Sequence, residues 1–265
     1  MPGEFKNIYQ DVRYADAYAR LEFPGTYYLA FRDLPGVFAR HLPVGPAPAA
    51  RGRAKGKRRA LDFGCGAGRS TRFLARCGFE PVGVDISEDM VALARQADAA
   101  GDYRAIADGD FSALAAASFD LVFAAFPFDN VPGRERKVRL LAGLRALLAA
   151  GGRLVNLVSS PEIYVHEWVS FTTRDFPENR RARSGDVVRI INLAVEGRTP
   201  VEDILCTEEA WRDAYAAAGL EVLDVLRPLA APGETGVAWV SETAVAPWTV
   251  YVLGPVSGQR RVTPG

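Results

Sequence analysis

Asp62-Phe63-Gly64-Cys65-Gly66-Ala67-Gly68 is the stretch that decides the fold. Ala60-Leu61-Asp62-Phe63 reads as a short apolar strand, and residues 70–76 read as a helix ended by Gly78. Glycine at a strand-to-helix turn lets the backbone reverse tightly and approach a ligand, while the helix N-terminus offers N–H groups that have no intrahelical partner. A dinucleotide turn would carry its third glycine at position 69, which is Arg69. The glycines run instead as Gly64, Gly66 and Gly68, with Asp62 two residues before the first. An acidic residue there repels phosphates and favours a ligand with positive charge. The next strand, 81–85, ends at Asp85, about twenty residues on, where a carboxylate can accept both hydroxyls of a ribose. Ile86 follows and can pack on a flat base.

Outward from this turn the chain alternates. Strands are expected at 60–63, 81–85, 105–107, 119–124 and 153–158, and helices at 70–76, after Ser87, and at 136–148, where Gly151-Gly152 follows. Such alternation predicts a parallel sheet with helices on both faces. Residues 159–206 interrupt it, with one strand at 186–196, and read as an insertion that covers the sheet. Thr207 then caps a helix ending at Gly219, and strands follow at 220–227 and 248–253. Residues 1–50 read as a helical lid and linker, and 51–265 as the core that carries the insertion. Within the lid a short helix carries residues 27–32.

Composition bounds the function. A chain of 265 residues with 49% apolar side chains can build a sizeable core, which excludes wholesale disorder. Its 32 basic and 32 acidic residues balance, which argues against a dedicated nucleic-acid binder. No apolar run approaches a membrane span, and no basic start leads into an apolar segment. Cys65, Cys77 and Cys206 form no CxxC pair, so a cytoplasmic, reduced protein is expected. Two histidines, His41 and His166, leave no histidine-rich metal site, and no metal is expected.

A ligand with an ammonium, a sulfonium, a ribose and an adenine fits the glycine turn with Asp62 and Asp85, and S-adenosyl-L-methionine is that ligand. Residues 57–158 resemble a class I S-adenosylmethionine-dependent methyltransferase of the small-molecule type. Residues 60–71 match the family's first motif, and Val84-Asp85-Ile86-Ser87 with Met90 its second. Gly109-Asp110-Phe111 resembles the third, where the family's aspartate meets the adenine amino group and the next residue flanks the ring; Asp108 is a close rival of Asp110. Ala125 and Phe126 stand at the end of strand four, where the family lines the methionine moiety. The resemblance implies a Rossmann-like, seven-stranded, mostly parallel sheet whose last strand is antiparallel. Asp62, Gly64, Cys65, Gly66, Asp85, Ile86, Asp110, Phe111, Ala125 and Phe126 are thus the candidate cofactor residues. Tyr28 joins them as a ring face that can attract a sulfonium.

Methyl transfer from a sulfonium leaves a neutral thioether, so the site must chiefly align the acceptor and exclude water. The aromatic lead-in supplies Tyr14 and Tyr18, and the insertion and beyond supply Trp168, Phe171 and Trp211, as candidate acceptor contacts. Asp129, after strand four, and His166 and Glu167, in the insertion, are the candidate bases. The expected acceptor is a small, largely apolar molecule of specialised metabolism, methylated on oxygen, nitrogen or carbon. Arg180 and Arg181 motivate an alternative, an isoprenyl diphosphate held by arginine forks and C-methylated, with Glu167 removing the proton. Two further alternatives are a protein that binds the cofactor without catalysis and a nucleotide-dependent oxidoreductase.

Overall fold

A computed structural model describes residues 25–43, 57–195 and 197–256. Tyr14, Tyr18 and residues 44–56 lie outside them. Among the described residues two helices come first, α1 (Thr26–Arg32) and α2 (Leu34–His41). Pro35 falls in the first turn of α2, where its missing N–H leaves no hydrogen bond unmade.

The core then alternates as β1 (Arg58–Phe63), α3 (Arg69–Arg76), β2 (Phe79–Asp85), α4 (Glu88–Ala97), β3 (Asp102–Ala105), β4 (Phe119–Ala125), α5 (Arg134–Leu147) and β5 (Leu148–Ser159). The insertion contributes β6 (Phe171–Thr172), β7 (Val187–Asn192) and β8 (Pro200–Ile204), and α6 (Glu208–Ala217), β9 (Leu220–Leu226) and β10 (Trp248–Pro255) complete the described elements. The main sheet has the order β3-β2-β1-β4-β5-β10-β9. β1 to β5 are mutually parallel, and β10 runs antiparallel to both β5 and β9. This is the seven-stranded sheet that the resemblance implies.

Local chemistry explains the elements. β4 reads as one apolar run because all but its last residue is buried. Ser87 and Thr207 cap α4 and α6, each accepting a backbone N–H three residues on. Two boundaries differ from the sequence reading. β3 lies at Asp102–Ala105 rather than 105–107, anchored by buried Tyr103. Gly151-Gly152 does not merely end a helix: α5 stops at Leu147, and the pair sits within β5. Gly151 takes φ +77, and a Cβ on Gly152 would meet the Phe119 carbonyl at 2.9 Å.

The sheet has two different faces. On one, Leu140, Leu144, Trp211 and Tyr215 pack from α5 and α6. On the other, Phe31 and Phe38 of α1 and α2 meet Phe73, Phe79 and Phe123 edge-on or tilted at 5.2–6.5 Å. The insertion folds as an antiparallel sheet, β6-β7-β8, beside these helices, where the sequence reading placed a single strand. Fully buried Glu242 ties the three regions together, accepting from Thr26 Oγ1 (2.7 Å), Val169 N (2.8 Å) and Val240 N (2.9 Å). Thr26 completes the clasp: its amide donates to Ser170 Oγ (3.0 Å), and its carbonyl accepts from Trp248 Nε1 (2.8 Å).

Candidate active site

Strand order reverses at β1, whose neighbours β2 and β4 leave it on opposite sides. Ligands of open α/β sheets bind outside the carboxyl ends of the strands at such a point. A cavity of about 540 Å³ opens there, of the size that takes a nucleoside-like molecule. Gly64, Cys65 and Gly66 form its floor, with Asp85, Ile86 and Met90 on one side and Ala125, Phe126 and Pro127 on another.

The glycine turn has the shape its sequence requires. Gly64, Gly66 and Gly68 take φ of +72, +52 and +80. Gly64 N and Cys65 N both donate to the Val84 carbonyl, at 2.8 and 3.0 Å, which pins the turn to β2. A Cβ on Gly64 would stand 2.4 Å from Pro127 Cβ, and one on Gly68 would stand 2.7 Å from the Tyr103 ring. Glycine is therefore needed for close approach as well as for the left-handed backbone.

Asp85 is fixed by backbone, its two oxygens accepting from Gly66 N (2.8 Å) and Ser87 N (2.9 Å). Burial raises its pKa, and these N–H groups act against that shift. Its carboxylate lines the cavity beside exposed Ile86. Asp62 does not line it. It lies beneath the turn, fully buried, with Oδ2 accepting from Ser70 Oγ and Thr71 Oγ1, both at 2.6 Å. Burial pushes its pKa up to about 6, and Oδ1 has no partner. Asp62 thus holds the first turn of α3 against β1 rather than facing a ligand. Cys65 is buried, and its thiol lies well above its ordinary pKa through burial.

Other sequence candidates fall elsewhere. Asp110 is exposed and accepts from Ser112 N, whereas Asp108 lines the cavity and pairs with Arg136 at 3.0 Å. Phe111 packs edge-on to Phe63, where a Cβ on Gly143 would meet it at 2.5 Å, so it belongs to the helix-side core. Tyr28 donates its hydroxyl to Glu234 (3.2 Å), and Arg32 pairs with the same carboxylate. The cavity wall from α1 is Phe31 instead.

A second, much smaller cavity of about 30 Å³ lies behind Phe126 and Asn130, which line both. Tyr27, Phe171 and Trp248 wall it, with Asp129, Tyr164, Asn192 and Asp203 as its polar lining. Phe126 itself sits at φ +70, a conformation that costs a bulky residue about 1–3 kcal/mol and clusters at functional sites. Asp129 accepts from Ser159 N (3.0 Å), and burial pushes its pKa up to about 6. Asp203 accepts from Tyr164 Oη (3.0 Å) and Asn130 Nδ2 (3.3 Å), and burial drives its pKa well above the ordinary range.

Of the three candidate bases, the structure brings only Asp129 to a cavity. Glu167 is held by Thr173 N (2.8 Å), Thr172 Oγ1 (2.8 Å) and Arg174 (3.0 Å). Burial alone would raise its pKa, but these partners outweigh it, and the carboxyl stays below the usual glutamate range. His166 pairs with Glu162 at 3.1 Å on the surface. Trp168 donates to the Ile163 carbonyl inside the core, and Trp211 stacks on Tyr215 on the opposite face of the sheet. Arg181 is exposed, and Arg180 reaches back to the Val165 carbonyl; neither lines a cavity. Phe171 does line the second one.

Sequence reasoning did not single out Phe31, Arg136, Tyr164, Asn192, Asp203 or Trp248. Asp203 carried one signal. Alternation from buried Val201 puts it on the same inward face of β8.

Residues 61–154 match a family model described as a methyltransferase domain. The core of this chain thus carries the signature of a methyltransferase domain, and it is similar to enzymes whose cofactor is S-adenosyl-L-methionine. Among curated relatives, the ubiquinone biosynthesis O-methyltransferase of Bordetella avium is 30% identical over 99 residues, 36% of this chain and 40% of that protein. The protein of the same name from Xanthomonas axonopodis pv. citri is 33% identical over 100 residues, again 36% of this chain and 41% of the relative. The chain thus spans about two fifths of the length of these relatives. Solved structures match over more of the chain. The CcbJ methyltransferase from Streptomyces caelestis superposes with a TM-score of 0.60 at 18% identity, covering 96% of this chain and 100% of that one. An S-adenosylmethionine-dependent methyltransferase from Mesorhizobium loti gives 0.55 at 20% identity, over 82% and 95%. These likenesses show the fold. Among the described residues no helix is long and apolar enough to cross a membrane.

Proposed function

We propose that this protein transfers a methyl group from S-adenosyl-L-methionine to a small, largely apolar acceptor bound between the main sheet and the insertion. The observation that carries this reading is the junction at Phe126 and Asn130, where the large cavity beside the glycine turn meets a small polar one that contains a buried carboxylate. The large cavity fits the cofactor: a floor of glycine backbone, and a carboxylate held ready by two backbone N–H groups. Asp85 would take the ribose hydroxyls, Ile86 and Met90 would pack against the adenine with Asp108 at its edge, and Ala125 and Phe126 would flank the methionine moiety. The bound cofactor supplies an electrophilic methyl group whose departure needs no acid.

What remains for the chain's own residues is orientation, exclusion of water and proton removal. Phe126, Tyr27, Phe171 and Trp248 enclose the acceptor end in apolar surface. Asp129 is the base in this reading, because its raised pKa suits proton removal near neutral pH. The arginines invoked for a diphosphate acceptor lend no support to that alternative, since Arg180 and Arg181 lie away from both cavities.

Asp129→Asn tests the assignment. The expected result is a fall in kcat of about 10²–10⁴-fold, with affinity for S-adenosylhomocysteine unchanged. In the wild type, kcat/KM should drop as pH falls through about 6, because the carboxylate must be ionised to accept a proton. Full activity in the Asn variant would remove Asp129 from the mechanism.

A further inference from the structure

The second cavity has a composition that the methyl-transfer reading does not by itself require. Asp129 and Asp203 both face a space of about 30 Å³, room for one small polar group. The described ion pairs include neither carboxylate. Lys137, the nearby ammonium, donates to the Val131 carbonyl and acts on both carboxylates only through space. Asn130 Oδ1 and Asn192 Nδ2, on side chains that line the same cavity, are buried without a hydrogen-bond partner. Around them stand four rings. Phe126 and Trp248 lie 4.9 Å apart between centroids, and Tyr27 lies 5.2–6.0 Å from Phe171, Trp248 and Phe126.

We propose that the acceptor's reacting group is an aliphatic primary or secondary amine, bound as its ammonium ion between Asp129 and Asp203 and methylated on nitrogen. This rests on the methyl-transfer reading above. A neutral hydroxyl would offer one donor to two buried carboxylates, neither of which has an ammonium within hydrogen-bond contact, since Lys137 donates to the Val131 carbonyl. An ammonium offers two or three N–H donors and a positive charge, matching Asp129, Asp203 and Asn130 Oδ1 together. Aromatic faces add attraction for a cation that they would not give an alcohol. Asn192 Nδ2 is left to an oxygen or a ring face of the same ligand. For reaction, one ammonium proton passes to Asp129 and the freed lone pair forms the N–C bond. The methyl–sulfur bond breaks with its electron pair kept by sulfur, the methylated product leaves as its ammonium ion, and Asp129 returns the one proton it took to solvent.

The test uses the whole chain saturated with S-adenosylhomocysteine. The probes are 2-phenylethylamine, cyclohexylmethylamine and hexylamine, each beside the alcohol of the same carbon frame. Calorimetry should show at least one amine binding about tenfold or more tighter than its alcohol, and losing about tenfold in Asp203→Asn. If that variant does not fold, wild-type pH dependence serves instead. The groups facing the bound nitrogen are Asp129, Asp203 and Tyr164, with Lys137 and Cys206 near them. Amine affinity should fall about tenfold between pH 7 and pH 5 as the carboxylates protonate, and alcohol affinity should not. Label from methyl-labelled S-adenosylmethionine should appear in an amine. Equal binding within every pair, label confined to alcohols or phenols, or label absent from every amine overturns the amine assignment while S-adenosylhomocysteine binding stands. Failure to bind S-adenosylhomocysteine at all would instead overturn the methyl-transfer reading beneath it.

Discussion

The two cavities that meet at Phe126 are built in opposite ways. The larger one is backbone architecture: three left-handed glycines, a carboxylate held by two amides, and the ends of adjacent parallel strands. Apart from Phe31, its residues come from successive strand ends and turns between Phe63 and Leu140, so local strand–turn–helix units specify most of it. The smaller one is side-chain architecture, assembled from α1, the turn after β4, the insertion and β10. Its polar groups are buried without full satisfaction, a condition that persists only where surrounding packing holds them. In the reading proposed above, a general nucleotide-like ligand is met by backbone, and a particular acceptor by side chains brought from a distance.

The comparison can be broken most forcefully at Gly64. Gly64→Ala should cost about 1–3 kcal/mol in backbone strain, beyond the clash with Pro127, and weaken S-adenosylhomocysteine roughly a hundredfold or abolish it. Calorimetry would show this, and unchanged affinity would mean that the turn is not the cofactor floor. Asp85→Ala comes next. Loss of charged hydrogen bonds worth about 1.5–3 kcal/mol should weaken the same ligand roughly 10–100-fold, with amine binding unaffected.

Glu242→Ala sharpens the contrast from the other side. It strands the Thr26, Val169 and Val240 donors in the core and should cost about 2–5 kcal/mol. Thermal unfolding should shift down by roughly 5–15 °C, and at lower temperature the acceptor should bind less well while S-adenosylhomocysteine binding holds. An equal loss at both cavities would show that they are not independent. The smallest effect is expected from Glu167→Gln. Its carboxylate serves Thr172, Thr173 and Arg174, so activity should stay within about twofold. A thousandfold drop would return Glu167 to the mechanism.

Much of the larger cavity was legible in the string from Asp62 to Gly68 and in Asp85, because strand, turn and helix N-terminus are local. Even there, Asp62 and Asp110 show the limit. Asp62 lies under the turn, where Ser70 and Thr71 claim it, and Asp110 is passed over in favour of Asp108, two residues away. Sequence spacing sets which turn carries a carboxylate but not which way that carboxylate points.

The acceptor side was scarcely legible. Glu167 and Asp203 are both carboxylates of the insertion, and only the alternation from Val201 hints that the second points inward. One is saturated by threonines and arginine at the surface, and the other faces a cavity across from Asp129. By itself, then, the sequence determined the parallel sheet, the glycine turn and the ligand class that such a turn admits. Periodicity and glycine conformation act over a few residues, and those are sufficient for such features. Only the tertiary structure decided that Tyr27, Asp129, Asp203 and Trp248 share one wall. Burial and the pairing of charges are properties of what packs against a residue, and the partners here are spread from Tyr27 to Trp248 along the chain.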